Sequence, residues 1–249
     1  MADTRFVKKN RLGVEARGSD YRGPLFLAGF ALFAVLTYAV PQLFLIWLAL
    51  LAGFVLVALL GDGLDRIKES GAKGEDEALK ALSALPDSYT IFNQIYIPNE
   101  RGKNGRTELD LVVVGPNGIF VVEVKNIRGE VEGSRQDWKW IVHKVGRQGS
   151  NYTSEISNPV KQLGRQIGAL KPLVRRKEDS PWVQGIAFFP NPDHSVKLRD
   201  DPGIPVLTNM EDLIKYIQEF NPKYKPRNPG RIVQDLARID NQEAGEGRG

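Results

Sequence analysis

From Leu25 to Leu60 the chain carries no charged residue, reading LFLAGFALFAVLTYAV, then Pro41 and Gln42, then LFLIWLALLAGFVLVALL. As a single helix that run would extend about 54 Å at 1.5 Å per residue, far beyond a hydrocarbon core of roughly 30 Å. Pro41 lacks a backbone donor and breaks the run near its middle. The pattern therefore predicts two spans, about 25–40 and 43–60, joined by a tight turn: a transmembrane hairpin over residues 24–61. The run is too long and lies too far from the N-terminus for a signal peptide. A helical hairpin buried in a globular core is the alternative, but neither helix has a polar face.

After the turn-forming Gly61-Asp62-Gly63, which is expected to close the second span, the periodicity changes. Ala78, Leu79, Leu82 and Leu85 recur at helical spacing and predict a helix to about Leu85. Apolar, β-branched runs then predict strands over 90–97, 108–114, 118–125 and 139–145, with Pro116-Asn117-Gly118 as the turn between the second and third. A helix is predicted from Pro159 to Arg176, a buried strand over 182–189, a short strand over 204–207 and an amphipathic helix over 211–220. Residues 221–249 read as a tail with a short last helix marked by Ile232, Val233, Leu236 and Ile239. This order predicts an α/β fold, a mixed central β-sheet flanked by helices. The domain reading is a basic N-terminal segment over 1–23, the hairpin over 24–61, the sheet domain over 62–220 and the tail over 221–249.

Composition narrows the chemistry. The chain of 249 residues has no cysteine and only two histidines, His143 and His194. Disulfides, thiolate metal sites and a multi-histidine zinc centre are excluded, and hard-cation chemistry through carboxylates is left. The formal charge is +4, of which residues 1–23 hold a surplus of about +3, so the sheet domain is nearly neutral. Arg5, Lys8, Lys9, Arg11, Arg17 and Arg22 precede the hairpin, and Arg66, Lys68 and Lys73 follow it. The positive-inside rule then places both termini in the cytoplasm, with a two-span protein in the cell membrane and lipid contacting residues 24–61. The hairpin holds no ionisable group, so transport is not indicated.

The residues that carry chemistry lie in RTELDLVVVGPNGIFVVEVKN, residues 106–126. Glu123 and Lys125 are two apart on a predicted strand and share a face. Asp110 sits on the preceding strand. Two carboxylates and an ammonium at the rim of a hairpin suit a divalent cation that orients water for phosphodiester hydrolysis. The alternative is a cross-strand ion pair on a solvated face, but the apolar neighbours Phe120, Val121, Val122 and Val124 argue for a buried strand, where charge needs a reason. Lys139, Lys144 and Arg147 occur between residues 138 and 154 without an acid, and Lys161, Arg165, Lys171, Arg175, Arg176 and Lys177 do the same between 159 and 177. These runs suit phosphate contacts, with Lys161, Arg165 and Lys139 as the nucleic-acid-binding candidates; a solvated helix face is the other reading. Trp138 and Trp140 flank Lys139 and suit either base stacking or a core.

On these elements the sheet domain resembles the nuclease-related domain family, NERD, part of the wider PD-(D/E)xK nuclease-like fold with its restriction-endonuclease-like sheet. The matching residues are Gly71-x-x-Gly74-Glu75, Glu108-Leu109-Asp110, the strand from Gly118 to Asn126 with Glu123 and Lys125, and Asn158-Pro159-x-x-Gln162-x-x-x-Gln166. One departure is Leu111, where the family pattern leads to expect His after the Asp. The resemblance implies that Asp110, Glu123 and the carbonyl of Val124 hold Mg²⁺ or Mn²⁺. It further implies that Lys125 positions or deprotonates the attacking water or stabilises phosphate charge, that Glu75 reaches the metal through water or assists a second ion, and that Gln162 steadies the lysine or the substrate. It implies DNA or RNA as the partner, and a homodimer, since many nucleases of this fold class cut as dimers. Two functions follow: a membrane-anchored, metal-dependent nuclease, or a tethered nucleic-acid- or protein-binding module whose acidic site is not catalytic.

Overall fold

A computed structural model describes residues 1–11, 13–14, 22–146 and 149–246; the side chains at 22, 23, 26, 41, 57–67, 103 and 243–246 lie outside that description. The chain divides into two units, residues 11–73 and residues 1–10 with 74–249.

The first unit holds α1 (Arg22–Ala39), a 3-10 turn at Pro41–Leu43 and the greater part of α2 (Phe44–Leu82). The turn falls at the proline, as its missing donor requires. Close approach of the two helices uses Gly29, where a Cβ would stand 3.1 Å from Cε1 of Phe54. The 39-residue α2 runs unbroken through the Gly61-Asp62-Gly63 stop expected from the sequence. Glycine weakens a helix by about 1 kcal/mol but, unlike proline, removes no hydrogen bond.

Among the described residues no helix is long and apolar enough to cross a membrane. The transmembrane hairpin expected over 24–61 is therefore not borne out. The 18 residues of α1 include Arg22 and rise only about 27 Å. Residues 26 and 57–60 of the two expected spans lie outside the described side chains.

The second unit contains, in chain order, β1 (Asp3–Phe6), the end of α2, β2 (Thr90–Pro98), β3 (Arg106–Gly115), β4 (Gly118–Val124), β5 (Gly129–Gly133), β6 (Lys139–Val145), β7 (Asn151–Ser157), α3 (Pro159–Val174), β8 (Val183–Phe188), β9 (His194–Leu198), β10 (Val206–Leu207), α4 (Met210–Glu219) and α5 (Pro229–Glu246). Six strands form a mixed sheet in the order β1-β2-β3-β4-β8-β10, and four form a second sheet in the order β7-β6-β5-β9. The large sheet is antiparallel from β2 to β4 and parallel where β1 meets β2, β4 meets β8 and β8 meets β10. Every residue of β4 is buried, because both faces of the sheet are covered. On one face Val112, Val121 and Ala187 pack with Leu163 and Leu170 of α3 and with Ile232 and Leu236 of α5. On the other, Val113, Phe120 and Val122 pack with Ala78 and Leu82 of α2 and Leu213 and Ile217 of α4. Helix α3 lies close to the sheet because β8 offers Gly185, where a Cβ would meet Cδ1 of Ile167 at 2.9 Å.

Both ends of the chain differ from the sequence reading. Within the expected basic segment 1–23, residues 3–6 form the edge strand β1, and Phe6 stacks on Phe92 of β2 at 4.8 Å. Within the expected tail 221–249, α5 buries Ile232 and Leu236 in the main core. The polar strands β5, β7 and β9 escape the periodicity because their second sheet is half solvated.

Asn158 joins the β5–β6 turn of the second sheet to α3. As N-cap its Oδ1 accepts from Val160 N (2.9 Å) and Lys161 N (3.3 Å), while its Nδ2 donates to the carbonyls of Ser134 (3.0 Å) and Asp137 (2.7 Å). Replacing it removes a cap and the side-chain donor to the part-buried Asp137 carbonyl, while Ser134 O keeps Trp140 Nε1. Asn158→Ala is expected to destabilise the chain by about 2–3 kcal/mol in chemical denaturation, whereas Asn209→Ala, at the exposed cap of α4, is expected to cost about 1 kcal/mol.

Candidate active site

The ladder that pairs Leu111 with Val122 and Val112 with Val121, continued by one step, sets Asp110 opposite Glu123 at its open end. Lys125 follows two residues later on the same side. Glu123 is 1% exposed, so its charge must be met inside the protein. Lys125 Nζ donates to Glu123 Oε1 at 2.5 Å, and Gln166 Nε2 donates to Glu123 Oε2 at 2.8 Å. Lys125 Nζ also donates to Gln162 Oε1 at 3.2 Å. Gln162 and Gln166 are one helical turn apart on α3 and so reach the same site. Asp110 Oδ2 accepts from the backbone N–H of Val124 at 2.9 Å.

Glu75 completes the acidic side. Gly74 before it lets α2 pass close to the end of β4, since a Cβ there would fall 2.4 Å from Cβ of Asn126. Glu75 Oε2 accepts from Gln94 Nε2 at 2.8 Å and from Asn10 Nδ2 at 3.2 Å. Gln94 holds a φ of 47° within β2, a left-handed conformation that costs a non-glycine residue about 1–3 kcal/mol. Alternation also breaks at the facing point of β3: Leu111 packs in the core under α2, whereas Leu109 joins Val112 in the core under α3. This irregularity turns the Gln94 amide toward Glu75.

Charge crowding is visible in the ionisation of these groups. Burial, with the carboxylates of Glu108 and Glu123 adding to it, pushes Glu75 up to about 7 against hydrogen bonds from Gln94 and Asn10. Burial and the charge of Glu123 raise Asp110 well above the carboxylate range, although Lys125 opposes the shift. Burial disfavours the ammonium of Lys125, but the surrounding carboxylates of Glu123 and Asp110 outweigh it and hold the lysine protonated.

Among the described residues no three His, Asp or Glu side chains stand in a metal-holding arrangement. The donors still suit a hard cation: Mg²⁺ is commonly held by one or two carboxylates with retained waters, and Asp110 and Glu123 supply two carboxylates in excess of one ammonium. Oε1 of Gln166 is a buried acceptor that receives no hydrogen bond from the protein. Its Nε2 is occupied by two acceptors, Glu123 Oε2 and the carbonyl of Glu108, which leaves Oε1 as an unmet acceptor next to the Glu123 carboxylate.

The basic candidates separate. Lys161 and Arg165 line a groove of about 900 Å³ beside the site, together with Trp138 and Arg101. Lys139 does not line it; its Nζ pairs with Glu155 at 2.5 Å on the second sheet. His143 faces Glu132 at 3.5 Å and His194 stacks on Phe189, both away from the acids. Asn10 and Gln94 were not among the sequence candidates for the site, and Gln166 entered only as a motif residue with no assigned role. Of these, Gln94 leaves a signal, the polar pair Asn93-Gln94 inside an apolar strand, and Gln166 lies one turn from Gln162.

Residues 70–190 match the family model of the nuclease-related domain, NERD, and that match supports a nuclease-related class for this part of the chain. Glu75, Asp110, Glu123, Lys125, Gln162 and Gln166 all fall within it, and Asn10 falls outside. An uncharacterised protein of Bacillus anthracis is 31% identical over 124 residues, covering 49% of this chain and 54% of that protein. The chain thus spans about half the length of the curated relative it matches. No solved structure matches it significantly.

Glu75 provides a test of the electrostatics. Its folded value of about 7 lies above the ordinary 4.5, so the native state holds the proton more tightly than the unfolded chain does. The stability it confers is complete below pH 4.5 and is lost as pH rises through 7. Glu75→Gln keeps an acceptor for Gln94 and Asn10 and removes the titration. In urea denaturation with EDTA, wild type is expected to lose on the order of 1–2 kcal/mol relative to the variant between pH 5 and pH 8, after discounting for partial exposure.

Proposed function

We propose that this chain is a divalent-metal-dependent phosphodiesterase acting on nucleic acid and seated at a lipid bilayer by its helical hairpin. The observation that carries the chemistry is the Asp110, Glu123 and Lys125 cluster at the end of a buried ladder, oriented by Gln162 and Gln166. Residues 70–190 match a nuclease-related family model, which supports this reading.

Asp110 and Glu123, with the Val124 carbonyl, would hold Mg²⁺ or Mn²⁺. When bound, such an ion supplies Lewis-acid polarisation of a phosphate oxygen and acidifies its water. The residues themselves have distinct tasks. Lys125, kept protonated by its carboxylate neighbours, donates to phosphate oxygens and offsets the charge that builds there. Gln162 fixes the direction of the lysine Nζ, and Gln166 fixes the Glu123 carboxylate. Glu75 ionises near pH 7, which lets its carboxylate exchange a proton with water at neutral pH. Lys161 and Arg165, on the groove side of α3, hold the phosphates on either side of the reacting one.

The lipid reading rests on exposure. Leu27, Leu32, Val35 and Leu45 on the hairpin are all more than half exposed, and burying such side chains is worth roughly 1.5–3 kcal/mol each. Acyl chains would cover them, with the basic residues before α1 at the headgroups and both termini in the cytoplasm.

A second reading, a binding module without catalysis, draws on the closed Lys125–Glu123 pair. One experiment separates the two. Full-length protein in detergent is incubated with single- and double-stranded DNA and RNA in Mg²⁺, Mn²⁺ or EDTA, beside Asp110→Ala and Lys125→Ala. Metal-dependent cleavage that falls at least about 100-fold in both variants is expected. Binding of nucleic acid with no cleavage by any form would establish the module instead.

A further inference from the structure

Trp138 is 78% exposed, whereas Trp140, two residues on, is fully buried. An indole left in water forfeits a large burial energy, so its placement calls for a partner. The position is rigid. Asn158 donates its backbone N–H to the Trp138 carbonyl at 3.2 Å and its Nδ2 to the Asp137 carbonyl at 2.7 Å. Asp137 Oδ2 in turn accepts from Ser134 N at 2.9 Å and pairs with Arg199. The backbone that carries the ring is thus tied down at one wall of the groove. Lys161 Nζ sits over one face of the indole, 4.3 Å from its centroid, and the ring is otherwise largely open to solvent.

The facing wall is a stripe of α3. Lys161, Gly164, Arg165 and Gly168 recur at helical spacing and line the groove with Arg101 and Thr107, against a single acid, Glu100. A Cβ at Gly164 or Gly168 would meet nothing within 4 Å, so the protein's own packing does not require glycine at either position. Their absence of side chains lowers the groove floor for something outside the chain. Gln162 and Gln166 sit roughly 100° further round the same helix and reach Lys125 and Glu123. Thr107 in the groove is likewise one residue from Glu108, whose carbonyl accepts from Gln166. Groove and acids are two faces of one wall.

We infer that this groove takes a single-stranded segment of the substrate, with an unpaired base stacked on Trp138 and the adjoining phosphates on Lys161, Arg165 and Arg101. The inference rests on the nucleic-acid reading above and adds strandedness to it. A duplex keeps its bases stacked inside and offers no free face to an exposed indole, whereas an unpaired base does, whatever its sequence.

Binding of full-length protein in detergent, with EDTA to prevent cleavage, is measured by fluorescence anisotropy. The probes are a labelled oligothymidine, its RNA counterpart, an abasic strand of equal length and a matched duplex. Oligothymidine or its RNA counterpart is expected to bind at least about 10-fold more tightly than duplex. Trp138→Ala is expected to weaken that binding on the order of 10-fold, Trp138→Phe much less, and neither to change the affinity for the abasic strand. The abasic arm separates base stacking from loss of fold, since an unfolded variant would lose both strands. Equal binding of duplex and single strand, or a Trp138→Ala effect of equal size on the abasic strand, overturns the inference. If that occurs while wild type still cleaves with metal, the nuclease reading stands. If wild type binds none of the probes, both fall.

Discussion

The arrangement of this molecule depends on how it accommodates negative charge at the end of a buried ladder. Asp110 and Glu123 border the apolar stretches 111–114 of β3 and 118–122 of β4, which are buried, where an isolated carboxylate would be driven to take up a proton. Lys125 meets one of them, Gln166 the same one from the helix side, and the Val124 N–H the other. The compensation is incomplete, as the raised values of Asp110 and Glu75 show. A structural ion pair would be balanced; this cluster carries an excess of acid held in place by neutral amides. That excess suits recruitment of a cation more than stabilisation of the fold, because buried pairs seldom add net stability.

The amides make the arrangement specific. Gln162 and Gln166 come from α3, whose position is set by Asn158 at its N-terminus and by the bare surface at Gly185 beneath it. Gln94 comes from a strand bent into a left-handed conformation at that point. Asn10 comes from the segment that follows the edge strand β1. Residues 1–10 belong to the sheet unit, and Asn10 contacts Glu75 directly.

Much of this was legible in the chain. The apolar stretches of β3 and β4 read as continuous runs, and Asp110, Glu123 and, just past the end of β4, Lys125 stand out beside them for the reason that makes them costly. The Asn158-Pro159 start of α3 was visible as a local signal with a local cause, whereas the close approach that Gly74 permits is a tertiary contact with Asn126. The second sheet was only partly visible, since β5, β7 and β9 are short and polar and gain order from neighbours distant in sequence. The pairing of Lys139 with Glu155 belongs to that sheet and removed one basic candidate from the groove.

The sequence by itself determined the alternation and apolar runs that build a covered mixed sheet, the break at Pro41, and the identities of Asp110, Glu123 and Lys125, because each follows from periodicity or from chemistry within a few residues. The tertiary structure alone decided that residues 3–6 would join the sheet edge, that residues 229–246 would close its core, that Asn10 and Gln94 would meet at Glu75, and that Trp138 would face solvent while Trp140 was buried. Those outcomes depend on contacts between segments tens to hundreds of residues apart. Each is selected by which surface remains open once the sheet has formed, and local preference does not encode that.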